Sequence, residues 1–436
     1  MATRYFYGWN VVGAVFVMAL FSFGLGFYGL SVYVATLQQL HGWSASTVSA
    51  PVTVYYVAGA LVTMAAGDLY QARGPRAVVA AGGATMAAGV AALGVVARPW
   101  HLYPAFLVMA LGWGTLSGAA INIIVAPWFQ RRRGLAVSLA FNGATLGGVV
   151  IAPALILIVD RLGFARALAL AALASLFPLL ALAPGVMRRG PETLGLSPDG
   201  EPCSPERAQV SQESDHRRSD AIRTWRFWSV SAPFALGLAA QVGVLTHLVA
   251  LVTPTLGTGG AARVVSVTTA SALIGRLARG LFIDRANRRL VSSATLAVQI
   301  AGVSLLSWAP ASAAVYAGCA LFGLGVGNLT TLPALILAVE WPRARFSTLV
   351  GMVVGINQLT FAFGPSLVGV VRDWGGAYGP ALATCAGLQA IAAALVVLGP
   401  GRAAPGLDRR LSPVDPRPAG GGGGRRRPSP GWGPAP

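Results

Sequence analysis

Stretches of about 20 apolar residues, each long enough to cross a hydrocarbon core about 30 Å thick, recur from end to end of this chain. Nothing else in the sequence restricts its folding as much. Inside lipid, backbone N–H and C=O groups must be satisfied within a helix or a closed barrel. The apolar segments are long and continuous rather than short and alternating, so they read as helices and not as barrel strands. Only 11% of the 436 residues are charged and 55% are hydrophobic, whereas soluble domains carry about 25% charged residues. The expectation is an all-α membrane protein.

Twelve transmembrane helices are predicted, near 9–34, 46–68, 76–97, 101–127, 134–158, 164–187, 226–250, 263–283, 289–308, 311–340, 347–371 and 376–399. The first is too long for a signal-peptide core and lacks an A-x-A cleavage site, so it is expected to stay as a span. Between the sixth and seventh lies "RRGPETLGLSPDGEPCSPERAQVSQESDHRRSDAIR". This segment is rich in Pro, Ser and charge, a composition that buries too little apolar area to fold alone. A similar Gly-, Pro- and Arg-rich tail follows the last helix. The predicted organisation is a six-helix bundle over 1–187, a linker over 188–225, a second bundle over 226–399 and a disordered tail over 400–436.

All 32 basic residues are Arg, which reads as a base-composition effect, and the net charge is +18. The arginines follow membrane side. With the N-terminus inside, short inner loops hold ten (Arg73, Arg76, Arg131, Arg132, Arg133, Arg285, Arg288, Arg289, Arg343, Arg345) and outer loops hold five (Arg98, Arg161, Arg166, Arg263, Arg372). The positive-inside rule then puts both termini in the cytoplasm of a plasma or inner membrane, and nucleic acid is not an expected partner. The three cysteines are far apart, and neither a metal-ligand cluster nor a Ser-His-Asp arrangement stands out. No cofactor, metal or enzymatic activity is expected. The glycine clusters lack GxxxxGK[ST] and read as helix-packing sites.

An internal repeat organises the rest. A shift of 213 residues lays "GDLYQARGPR" on "GLFIDRANRR", "LGWGTLSG" on "LGVGNLTT", and Trp128 on Trp341. Two six-helix halves of this kind suggest a carrier with its substrate site near the midplane between them.

Arg276, in "SALIGRLARGLFIDRANRR", sits eight residues before Asp284, roughly 12 Å inside the membrane. Such a placement costs at least about 2.5–3.5 kcal/mol unless the cation faces water or a partner. Arg279 lies nearer the interface and is expected to snorkel. None of the fourteen acidic residues falls in the middle of a predicted span, so Arg276 has no built-in counter-ion. A planar guanidinium suits a substrate carboxylate; backbone carbonyls or water are the other way to satisfy it.

These motifs resemble the major facilitator superfamily over about 1–400. Its loop signature is matched by Gly280, Asp284, Arg285, Arg288 and Arg289, and in the first half by Gly67, Leu69, Gly74, Pro75 and Arg76, with Gln71 and Ala72 replacing the acid–base pair. "WFQRRRGLAVSLAFNGATLGG" and "PETLGLSPDGEP" narrow the resemblance to the monocarboxylate and oxalate–formate transporter branch. The resemblance implies the twelve-helix fold in two pseudo-symmetric bundles, and a substrate carboxylate held by the eighth-helix Arg, here Arg276. Other cations of that branch are absent: helix one is uncharged, helix eleven has Asn357 and Gln358, and Ala272 stands one turn before Arg276 where the monocarboxylate group has Asp. One cation suits a monoanion.

Tyr28, Tyr55, Asn122, Gln241, Asn328, Asn357 and Gln358 are candidates to complete the substrate site, with interhelical hydrogen bonding as their other role. His247 is open either to proton coupling or to a structural role. Asp284, Arg285, Glu340, Gly280, Gly67 and Arg76 form a candidate cytoplasmic gate. The expected function is alternating-access transport of a small organic anion, a monocarboxylate first, by uniport, symport or antiport. The expected partners are that anion, the lipid bilayer and a coupling ion or counter-substrate, with the protein as a monomer. An exporter of amphipathic drugs or metabolites, and a non-transporting sensor of the same fold, are the alternatives.

Overall fold

The computed structural model describes residues 6–186, 198–200, 223–281, 283, 285–308, 312–341 and 343–399. Among them every regular element is helical. The first half comprises α1 (Gly8–His41), α2 (45–73), α3 (75–93), α4 (Pro99–Val125), α5 (Arg133–Leu162) and α6 (Phe164–Gly185). The second comprises α7 (225–256), α8 (258–280), α9 (Arg288–Trp308), α10 (Ser312–Gly325 continuing as Leu332–Glu340), α11 (Arg343–Phe361 continuing as Gly364–Gly375) and α12 (Tyr378–Leu398). These are the twelve membrane-crossing segments of two six-helix bundles.

Local chemistry sets several boundaries. Ser44 caps α2, its hydroxyl accepting from the Thr47 N–H at 3.2 Å, and Thr224 caps α7 by accepting from the Phe227 N–H at 3.3 Å. The loops expected at 69–75 and 251–262 are nearly absent. Helix continues on both sides of Gly74 (φ 73°, ψ 161°) and Gly257 (φ 66°, ψ 179°). A single residue able to adopt positive φ reverses the chain, so the polar helix ends extend beyond the apolar stretch that hydropathy detects.

The repeat is visible in the backbone. Gly163 (φ 79°) and Gly376 (φ 68°), 213 residues apart, end α5 and α11 with positive φ. The break at Ser117 in α4 is matched by the break between Gly325 and Leu332 in α10. Large apolar side chains such as Leu111, Phe177 and Leu277 point outward, as lipid-facing positions do.

The two halves are joined at one end. One continuous core runs through the first half and into Val242, Leu248, Val264, Ala272, Phe322 and Leu382 of the second. A separate core, with Phe227, Leu296, Ile336, Val353 and Val396, fills the second half toward Arg288 and Arg289. Cross-half contacts cluster at the end opposite those arginines. Thr53 pairs with Ser366 at 2.6 Å, the Ser366 hydroxyl donates to the Ser49 carbonyl at 3.4 Å, and the Ser266 hydroxyl donates to the Val149 carbonyl at 3.2 Å. Closure therefore lies at the arginine-poor end.

Part of the expected linker is seated. The Asp199 N–H donates to the Trp128 carbonyl at 2.9 Å, and its carboxylate accepts from the Gln130 and Arg131 N–H groups at 3.0 and 2.6 Å. Asp199 takes φ 63°, unusual for a residue with a side chain. Residues 198–200 thus dock on the α4–α5 turn; the rest of the linker from 187 to 222, and the tail, lie outside the described residues.

A candidate carboxylate site at the seam

Tyr28 ends a π-helical turn, Gly24–Tyr28, in α1. Such turns shift the hydrogen-bond register and re-aim side chains. The Tyr55 hydroxyl steadies this one, donating to the Gly26 carbonyl at 2.7 Å, and Tyr55 is fully buried. Tyr55 therefore supports the site from behind and does not line it. Gly148 on α5 lies directly against the Tyr28 ring and Thr269 of α8; a Cβ there would meet the Tyr28 ring at 2.8 Å. Tyr28 is thereby held at the seam, against α8, the helix of the opposite half that carries Arg276.

Arg276 is half-buried, and its Nε is buried with no hydrogen-bond partner among the described residues. Its guanidinium packs over Gly327 in the broken part of α10, with Nη2 occupying the place a Cβ would take. Gly327 has φ 78°, so the break and the absent side chain together make room for the cation. Arg279 does not snorkel. It is 7% exposed and donates to the Asn328 carbonyl at 3.2 Å and the Thr331 hydroxyl at 3.0 Å. The α10 break exposes acceptors that take both Arg279 Nη groups, while Arg276 has no hydrogen-bond partner among the described residues.

The remaining candidates divide. Asn357 and Gln358 are on α11, and Asn357 is 4% exposed with an unpartnered Oδ1. One turn on, Phe361 meets Tyr56 of the other half edge-on, centroids 5.3 Å apart at 86°. Asn122 is exposed on α4 and donates to the Gly118 carbonyl of its own helix at 3.0 Å. Asn328 is buried, donating to the Leu324 carbonyl at 2.9 Å. Gln241 is engaged elsewhere: its Oε1 accepts from Gln299 at 2.8 Å, and the Gln299 Oε1 accepts from Gln389 at 3.0 Å. This glutamine ladder ties α7, α9 and α12. His247 is 1% exposed; one ring nitrogen is 3.2 Å from the Tyr378 hydroxyl and the other 3.0 Å from the Pro365 carbonyl, tying α7 to α11 and α12.

Among the gate candidates, Asp284 lies outside the described residues. Arg285, Gly280 and Arg76 are exposed and Gly67 is half-buried. Glu340 pairs instead with Arg289, Nε to Oε1 at 2.7 Å and Nη2 to Oε2 at 2.8 Å. Arg289 also donates to the Val396 carbonyl at 2.8 Å and the Ser229 hydroxyl at 3.1 Å, while Arg226 bonds the Glu340 carbonyl and lies 5.1 Å from the Trp341 ring. This is a buried clamp within the second half. The sequence marks Arg289 as part of the loop signature and Glu340 as a gate candidate, but not as each other's partner; Gly327 stands out only within the repeated LGVGNLTT, and Phe361 gives no signal beyond ordinary apolar composition.

Two helical bundles meeting along a seam, with an arginine that has no hydrogen-bond partner among the described residues, define the architecture of a membrane carrier. The Major Facilitator Superfamily model matches residues 16–365, and the chain belongs to that family. It is 27% identical over 425 residues to Monocarboxylate transporter 11 of Mus musculus, covering 92% of this chain and 88% of that protein. A stretch of 113 residues, 26% of this chain and 65% of the relative, is 36% identical to a putative anionic 4-hydroxy-benzoate permease of Thauera aromatica. The fold is shared with a bacterial homolog of the human lysosomal transporter Spinster (TM-score 0.64, 14% identity, 91% of this chain and 96% of that one). It is shared also with the nucleoside transporter NupG (TM-score 0.69, 12% identity, 89% and 98%). The protein is a multi-pass membrane transporter.

Proposed function

We propose that this transporter carries a small organic monoanion, a monocarboxylate, by alternating access. One observation carries the reading: the Arg276 guanidinium stands at the seam between the halves without a hydrogen-bond partner among the described residues. A half-buried cation whose Nε is buried without an acceptor is costly inside a membrane, and a bidentate carboxylate removes that cost while the substrate is bound. Tyr28 is placed to orient the carboxylate, and Asn122, Asn357 and Gln358 supply polar contacts along the path. The names of two relatives, a monocarboxylate transporter and an anionic permease, point to the same chemistry.

The bundles 1–187 and 226–399 are the two moving bodies in this proposal, joined through the 188–225 linker. Loop arginines assign the arginine-rich end to the cytoplasm, with both termini there. The closure at the opposite end then corresponds to a state open to the cytoplasm. The test is counterflow of a labelled carboxylate panel in proteoliposomes, wild type against Arg276→Gln, with and without a pH gradient. Arg276-dependent exchange is expected. Full exchange by Arg276→Gln, or none by wild type across the panel, overturns the reading.

A further inference from the structure

Resting on the carboxylate reading above, we infer that the preferred substrate is an aromatic carboxylate, held by Arg276 at its anionic end and by the rings of Phe27, Tyr28 and Phe361 at the other. An aromatic wall crosses the seam next to α8, the helix that carries Arg276. Tyr28 and Thr269 of α8, two helical turns before Arg276, both lie against Gly148, and Phe27 meets Tyr28 edge-on with centroids 5.1 Å apart at 88°. Behind Phe27, Trp113 lies nearly parallel to it at 6.2 Å and 16°, and Tyr56 is 6.4 Å away. Phe361 then continues the wall onto the other half through its contact with Tyr56.

The wall has two layers with different roles. Tyr55, Tyr56 and Trp113 are 0%, 2% and 4% exposed and are packed as core. Phe27, Tyr28 and Phe361 are only half-buried, so each keeps part of its ring uncovered by the fold. Core packing alone explains the first layer and not the second. Rings prefer edge-to-face or offset contacts, because a negative face attracts a positive edge. A flat aromatic acid satisfies that preference and delivers its carboxylate to Arg276 in one rigid unit with little conformational entropy to lose. A short aliphatic acid reaches the cation and leaves the rings wet. An amphipathic cation gains the rings and meets a like charge.

The experiment is isothermal titration of the full chain in lipid nanodiscs with benzoate, cyclohexanecarboxylate and propionate. Wild type, Phe27→Leu, Phe361→Leu and Arg276→Gln are compared. Benzoate is expected to bind about tenfold tighter than its saturated isostere, the size of gain two ring contacts give, and tighter still than propionate. Phe361→Leu and Phe27→Leu should each shrink the benzoate advantage while leaving cyclohexanecarboxylate binding in place, which shows the protein is folded. Arg276→Gln should lose all three. Equal affinity for benzoate and cyclohexanecarboxylate, or a preference for propionate, overturns the aromatic inference and leaves the carboxylate reading standing. Binding of all three acids unchanged by Arg276→Gln, or of none by wild type, overturns both.

Discussion

The Asp373 carboxylate of α11 sits over the first turn of α2, accepting the Ser46 N–H at 2.7 Å and the Ala45 N–H at 3.1 Å. It is a helix cap supplied by the opposite half, charge-assisted and aligned with the positive end of the α2 dipole. Arg372 holds the same carboxylate at 3.1 Å. The repeat places Asp160 at the equivalent position on α5, yet Asp160 is exposed and has no partner among the described residues. The closed end therefore carries a charged cap on its α2–α11 side only, the α5–α8 side being joined by the Ser266 hydroxyl and the Val149 carbonyl instead.

Removing this cap should loosen the closed end. For Asp373→Asn we expect a loss of about 1 kcal/mol of closure, the usual worth of an N-cap, and so several-fold more of the chain open there. Spin labels at Gln39 and Trp374 report it as a longer distance component by electron–electron resonance. An unchanged distribution would rule the cap out as a lock.

Glu340→Gln should strand Arg289, whose side chain is 7% exposed, in a low-dielectric site. Breaking one partner of a buried pair costs about 3–5 kcal/mol, whereas replacing both with apolar residues costs less. Thermal unfolding in detergent should rank Glu340→Gln below the Arg289→Met/Glu340→Leu double variant.

Gly327→Ala combines a strained backbone with a methyl group where Arg276 Nη2 now lies. Positive φ costs alanine about 1–2 kcal/mol. The displaced guanidinium should also raise the KM of the transported anion, a change that Gly280→Ala, which has open space around it, should not produce.

The glutamine ladder offers a test of buried polar satisfaction. Gln299→Leu removes the middle member and orphans Gln241 Oε1 and Gln389 Nε2. Each orphan costs about 1–3 kcal/mol, so the midpoint of unfolding should fall while anion affinity is unchanged. A matching fall in affinity would return Gln241 to the substrate site.

Asp199→Gly relieves positive φ and deletes Oδ2, the acceptor of both side-chain bonds of the linker clip. Amide exchange at Gln130 and Arg131 should quicken about tenfold, the scale of a lost charge-assisted hydrogen bond. Asp199→Asn should fall between the two. Equal protection in all three would mean the clip does not hold in solution.

Helix number and the position of Arg276 were legible because they rest on length, depth and charge, which are local quantities. Partner choice was not. Arg279 looked like an interfacial snorkeller until the α10 break supplied Asn328 and Thr331, and where a helix breaks depends on packing. Glu340 and Arg289 are 51 residues apart and meet only once α9 and α10 are side by side. Asp199 lay in a segment whose composition argued against order, and three hydrogen bonds to one turn were enough to seat it. His247 and Gln241 could be read from the sequence either as chemistry or as interhelical ties, and both make interhelical hydrogen bonds in the fold.

Those ties also divide the labour of packing. The ladder and the Arg289 clamp together rivet α7, α9, α10 and α12, whereas the first half meets the second through hydroxyl pairs at the closed end, the Asp373 cap and the Tyr56–Phe361 ring contact. The second half therefore carries Arg276 in a frame braced by its own buried polar bonds.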